Sequence, residues 1–280
     1  MRLRIRPSAR PLSAGPFPKF FADRGTHLAA MIAYFALVSF LPLTFLALAL
    51  LGLFHRVDES STLVKELNTL FPSQSIGDIV TKVRSIQDNA ATLGIIGGVF
   101  LLWSSLSLFS ALESAFNIVY GRPNRSFLRG KAIAVGFMVT SLVVLFGGLV
   151  GGSFGFRYLE RNVGGLMGSS SVAVPVSLAI STFATFLFLV SAYRGLTNTD
   201  VTTREVLPGA ILGAVALQVT FQALPVFLRV SKHIVALQAL GAGVLLLLWL
   251  YVMANVIVFC AEVNWWLARG RRENAVSGLA

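Results

Sequence analysis

IVALQALGAGVLLLLWLYVMANVIVFCA, residues Ile234–Ala261, contains no Asp, Glu, Lys, Arg or His. About 20 apolar residues in helical form cross ~30 Å of hydrocarbon, so this stretch spans a bilayer with residues to spare. Lipid offers a backbone N–H or C=O no partner, which leaves helices and closed barrels as the only spanning structures. The strict alternation of a barrel strand is missing from LLLLWLYVMANVIVF, so the stretch is predicted to be a helix.

The same pattern recurs along the chain. Leu28–Phe54, Ala90–Leu112, Ala132–Phe156 and Val206–Leu228 are also free of charge, and the apolar part of a fifth uncharged run is about Val172–Tyr193. The predicted fold is therefore all-α, a polytopic membrane protein with six transmembrane helices at about 28–54, 90–112, 132–156, 172–193, 206–228 and 238–262. They form a membrane domain over 28–267, preceded by a basic arm (1–27) and followed by a tail (268–280). Composition agrees: 55% of the 280 residues are hydrophobic and 12% charged, against roughly a quarter charged in a soluble domain. Pro42 falls inside the first span and is expected to kink it, whereas Pro208 is expected in the first turn of the fifth, where a proline costs little. Gly94 with Gly98, Gly147 with Gly151, Gly148 with Gly152 and Gly209 with Gly213 have the small-residue spacing that lets helices approach closely. Such pairs serve ordinary packing more often than dimerisation, which leaves a homo-oligomer open.

The net charge of +11 does not point to nucleic acid, because the 23 basic residues sit in short clusters between apolar runs rather than on one aromatic-rich face. They report topology instead. Counted loop by loop, 15 Lys and Arg lie on the side of the N-terminal arm and the tail and 8 on the other, so both termini are expected in the cytoplasm. The arm carries Pro7, Pro11, Pro16 and Pro18 where a signal peptide would have its apolar core. Between spans 1 and 2, His55–Asn89 is expected outside. It holds two amphipathic pieces, one with Leu63, Leu67 and Leu70 on a face and one with Ile76, Val80, Val83 and Ile86, the second opened by Ser75 and Asp78 at capping-box spacing. Two external helices follow, either a lid over a cavity or surface helices packed on the bundle.

Little in the chain supports catalysis. His27, His55 and His233 are scattered at span ends, no Walker, GxGxxG or HExxH motif occurs, and the GxSxG spacing at Gly151–Gly155 falls inside an uncharged run with no histidine near it in sequence, so no catalytic residue, metal site or cofactor is predicted. Cys260, the one cysteine, has apolar neighbours and reads as a buried structural thiol. What remains is polar groups near span ends: Glu113 and Asn117, Asn255, and Glu262 with Asn264, together with Arg129 in the basic loop before span 3. Ionisable groups this close to hydrocarbon either reach the headgroup level and pair, here with Arg24, Arg125 or Arg129, or mark a substrate or ion pathway. If Glu262 points inward, Arg129 or Lys131 is its expected partner. Membrane lipids are the partners this composition implies; no nucleic-acid partner is expected.

Several stretches carry a resemblance. DRGTHLAAMIAYFALVSFLPL (Asp23–Leu43), LLWSSLSLFSALESAFNIVYGRP (Leu101–Pro123) followed by Phe127 and Arg129, LPGAILGAV (Leu207–Val215) and LGAGVLLLLWLYVMANVIVFCAEVN (Leu240–Asn264) together resemble the YihY/BrkB family of bacterial inner-membrane proteins. The most specific residues are Ala29, Ala30, Tyr34, Ser39, Pro42, Trp103, Asn117, Tyr120, Pro208, Gly209, Ala210, Trp249, Leu250, Tyr251, Ala261 and Glu262. The chain departs from the family pattern at Gln218, Leu237–Gln238 and Cys260. The resemblance implies a six-helix protein of the bacterial inner membrane, a transporter or lipid-handling permease whose substrate it does not name. A non-catalytic envelope protein acting through partners is the alternative. The family once carried a ribonuclease BN label, which the residues disfavour, since metal-dependent RNA cleavage needs a ligand cluster this chain lacks.

Overall fold

The computed structural model describes residues 15–53, 90–141, 170–231 and 235–277. All regular elements among them are helices: α1 (Pro16–Ala22), α2 (Gly25–Leu53), α3 (Ala90–Val119), α4 (residues 127–141), α5 (Ser170–Gly195), α6 (Thr203–Ser231) and α7 (Val235–Ser277). Both amphipathic pieces between spans 1 and 2, and residues 142–156 of the predicted third span, lie outside the described residues.

Among the described residues three helices hold stretches long and apolar enough to cross a membrane: Leu178–Gly195 in α5, Thr203–Phe227 in α6 and Gly243–Gly270 in α7. Gly25–Phe40 and Leu106–Val119 are shorter apolar stretches in α2 and α3. The outward faces are as apolar as the inward ones. Ile180, Phe183 and Leu187 form an exposed stripe on α5, and Ile211, Val215 and Val219 form another on α6. Stripes of this extent are solvated by lipid rather than water, so the chain is a membrane-embedded helical protein.

The chain forms two compact units. The first comprises residues 1–30, 109–222 and 253–280, the second 31–108 and 223–252. In the first, Phe116 and Tyr193 pack edge to face with centroids 5.1 Å apart, and the Tyr193 hydroxyl donates to the Ile257 carbonyl at 2.9 Å. Leu189, Leu196, Val206, Ala210, Val258 and Ala261 are buried in the same unit. In the second unit Phe227 and Trp249 meet at 5.1 Å, and Ser39 donates to Phe35 O at 2.8 Å. Ser107 donates to Trp103 O. These hydroxyls are satisfied within their own helices, as serines in apolar helices usually are.

Local sequence explains the helix ends that build the site. Pro16 opens α1 at a position where no helical N–H is needed. The helix ends at Ala22, and Arg24, just past the Asp23 cap, adopts φ 58, a left-handed conformation more often given to glycine. Gly25 then lies so close to the Phe20 ring that a side chain there would overlap it. The result folds α1 back so that Phe20 is buried and Phe17 contacts Phe259 of α7. From residue 16, what the sequence suggests is a basic arm is a packed helix.

The start of α6 differs from expectation. Thr202 and Glu205 have capping-box spacing, and Glu205 Oε2 accepts the Thr202 N–H at 2.9 Å, so the helix begins at Thr203. Pro208 therefore falls in the second turn, not the first, where it removes one helical hydrogen bond and crowds the carbonyl four residues back. The next N–H, of Gly209, donates to Asn264 Oδ1 of α7 at 2.6 Å. A neighbouring side chain thus supports the backbone where proline disturbs it.

Candidate functional site

Lys19 of α1 is the centre of a buried polar cluster in the first unit. Its ammonium donates to Glu262 Oε2 at 2.6 Å, to the Val119 carbonyl at 2.8 Å and to Asp23 Oδ2, which uses all three of its protons. It also lies 4.2 Å from the centroid of the Trp265 ring. One cation thereby joins α1, the C-terminal end of α3 and α7, and the Val119 carbonyl is one a helix end leaves without an intrahelical partner. Glu262 is 0% exposed. A lone carboxylate in such a place is very costly, and the ammonium compensates it through one oxygen. The other, Oε1, has no hydrogen-bond partner among the described residues, and the same holds for Asn264 Nδ2. A carboxylate held this way can take up a proton or meet a cationic group.

A second cluster in the same unit is built on Arg125. Its guanidinium donates to Glu113 Oε1 at 3.3 Å and to the carbonyls of Gly195, Leu196 and Thr197 at 3.2, 2.5 and 2.8 Å. Those carbonyls end α5, so the fork caps that helix while Glu113 holds the fork in place. Beside it, Asn117 is fully buried; its Oδ1 accepts the Asn198 N–H at 2.7 Å and its amide donates to Asn124 at 3.0 Å. Asn117 therefore ties the loop after α3 to the loop after α5.

Of the residues singled out by sequence, Glu113, Asn117 and Glu262 are buried and sit in these two clusters. Asn255 is half-buried on α7, about two turns before Glu262. Arg129 is exposed on α4. The pairing of Glu262 with Arg129 or Lys131 is corrected: Lys131 donates to Ser110 Oγ at 2.9 Å and lies over the Phe127 ring, and Lys19 holds the carboxylate. Of the partners offered to Glu113, the structure selects Arg125. In the sequence Lys19 reads only as one more charge of the basic arm. Its signal was local: PFPKFFADRG has a proline start, an i,i+4 Lys19–Asp23 pair and a DRG stop. Cys260 is buried as expected, its carbonyl against Gly209 and its sulfur against Gly213. Among the described residues no three His, Cys, Asp or Glu gather to hold a metal ion.

The family model described as virulence factor BrkB matches residues 17–278. Proteins named UPF0761 membrane protein are similar along most of the chain. That of Chromobacterium violaceum is 26% identical over 265 residues, 89% of this chain and 62% of its own length. That of Azoarcus sp. is 25% identical over 254 residues, 88% of this chain and 60% of its own length. The chain thus spans about three fifths of these relatives. The ribonuclease-like protein YfkH of Bacillus subtilis is 21% identical over 254 residues, 89% of this chain and 92% of its own length. No solved structure matches the chain.

Proposed function

The chain belongs to the virulence factor BrkB family, and from that premise we propose that it is a transporter or lipid-handling permease of the bacterial inner membrane, with six spans and both termini in the cytoplasm. The observation that carries this reading is Glu262, a fully buried carboxylate among apolar helices with one oxygen on Lys19 and the other without a partner among the described residues. An ionisable group in a membrane-embedded bundle is expensive, and such groups mark pathways for protons, ions or substrate. Lys19 is a tethered cation, so a proton or cationic group reaching Glu262 can compete with it. The positive-inside count supports this orientation, in which the cluster lies at the cytoplasmic ends of the helices.

Reconstitution into proteoliposomes tests the reading. Saturable flux of a solute or lipid that disappears in Glu262→Gln supports it. Flux absent from every preparation that carries folded protein favours the other reading, a non-catalytic envelope protein acting through partners.

A further inference from the structure

Trp265 has a second environment besides Lys19. Its ring, with Tyr120, Arg122, Glu205 and Arg269, lines a cleft of about 160 Å³, and the Arg269 guanidinium carbon lies 5.3 Å from the ring centroid. The lining residues include two arginines against one glutamate, a net positive balance, and Oε2 of that glutamate accepts the Thr202 N–H. We propose that this cleft binds a phosphate group, either free or as the headgroup of an anionic lipid.

Three features carry the assignment. Arginine presents a planar fork that matches phosphate oxygens two at a time, and two arginines in one small cleft can hold one phosphate from two directions. The size selects a headgroup-sized moiety, because pockets that take whole drug-sized or nucleotide-sized molecules run to roughly 300 Å³ and more. The position also fits: the lining comes from the segment just after α3, the loop before α6 with its first turn, and the C-terminal end of the apolar stretch of α7, where basic pockets between helices meet lipid phosphates. The inference needs only a membrane-embedded chain and does not depend on flux through Glu262.

Thermal unfolding of the full chain in detergent tests it, with inorganic phosphate as one probe and micelles doped with phosphatidylglycerol as the other. Sodium chloride at equal ionic strength and an uncharged monoacylglycerol are the controls. A saturable rise in unfolding temperature is expected with at least one probe, with the apparent affinity about tenfold or more weaker in Arg122→Gln and in Arg269→Gln, as for loss of a charge-assisted contact. Arg229→Gln removes the same charge outside the cleft and should leave the affinity unchanged. Saturation by inorganic phosphate identifies a soluble anion as sufficient; saturation by phosphatidylglycerol alone identifies a headgroup. No response to either probe beyond the controls overturns the proposal, as does equal weakening in Arg122→Gln and Arg229→Gln. If Arg269→Gln fails to fold, Arg122→Gln and Arg122→Lys decide, since Arg122 is exposed. Lysine keeps the charge but loses the fork, and its affinity should fall between wild type and glutamine. This outcome is independent of the flux assay, so either proposal can fail without the other.

Discussion

Lys19 Nζ and Glu262 Oε2 stand 2.6 Å apart across 243 residues of sequence, and Glu262 is fully buried. The pair joins a seven-residue helix to the longest helix among the described residues. Removing one partner of a buried ion pair leaves the other uncompensated, at a cost of about 3–5 kcal/mol. Lys19→Gln and Glu262→Gln should each lower stability on that scale, measured by reversible denaturation in mixed micelles, and the double substitution should cost clearly less than the two together. Simple additivity would remove the pairing. Glu262→Gln as tolerant as a surface substitution would leave the carboxylate no role in the bundle.

Arg125 is expected to be irreplaceable by lysine. Its fork reaches three carbonyls at the end of α5 and Glu113 at once, while an ammonium is a point donor. Arg125→Lys should cost about 1–3 kcal/mol for carbonyls left without a partner, and Arg129→Gln, on an exposed part of α4, within about 0.5 kcal/mol of wild type. The reverse order in a stability series would contradict the capping role.

The contrast between Arg125 and Lys19 shows what the sequence made legible. Three of the long uncharged runs coincide with helices long and apolar enough to cross a membrane, because hydrocarbon thickness imposes a length that composition alone reveals. Glu113 and its partner were within reach too, since only 12 residues separate Glu113 from Arg125. Glu262 was singled out by the same logic, but its partner comes from the other end of the chain, and no periodicity links residues so far apart. Pro208 lies a turn deeper in its helix than the apolar run suggests, because the Thr202–Glu205 cap sits in a charged, polar stretch outside that run. The Gly209 contact with Asn264 depends on helix crossing, which small-residue spacing suggests without naming the partner.

Topology is testable without a substrate. The 15 to 8 distribution of Lys and Arg predicts that a fluorescent reporter active only in the cytoplasm lights up when fused after Ala280. In a Cys260→Ser background, Gln74→Cys should react with an impermeant thiol reagent in intact cells, since the segment 55–89 is expected outside. Dark fusions together with an unreactive thiol would invert the orientation.

Protein purified free of host nuclease should cut no RNA at any divalent metal concentration. The ground is the sequence, in which three histidines lie far apart and no metal-ligand motif occurs. Cleavage that follows the protein through several columns and is lost on substituting a residue of this chain would overturn it.

The crossing of α6 and α7 makes the last prediction. A Cβ at Gly209 would overlap the Cys260 carbonyl and come 2.6 Å from Asn264 Cγ, whereas one at Gly213 would meet the Leu189 methyl at 2.8 Å and the Cys260 sulfur at 3.4 Å. The first obstacle is backbone and cannot move without parting the helices; the second is the tip of a side chain that can change rotamer. Gly209→Ala should therefore cost about 1–3 kcal/mol by overpacking, and Gly213→Ala noticeably less. Asn264→Ala should also destabilise, since it strands the Gly209 N–H beside Pro208, at about 1–3 kcal/mol for a buried donor left unpaired. Combined with Gly209→Ala it should relieve only part of the clash, because the Cys260 carbonyl remains. Unfolding temperatures in detergent rank the four variants, and Gly213→Ala proving worse than Gly209→Ala would mean that α6 and α7 do not cross at this glycine.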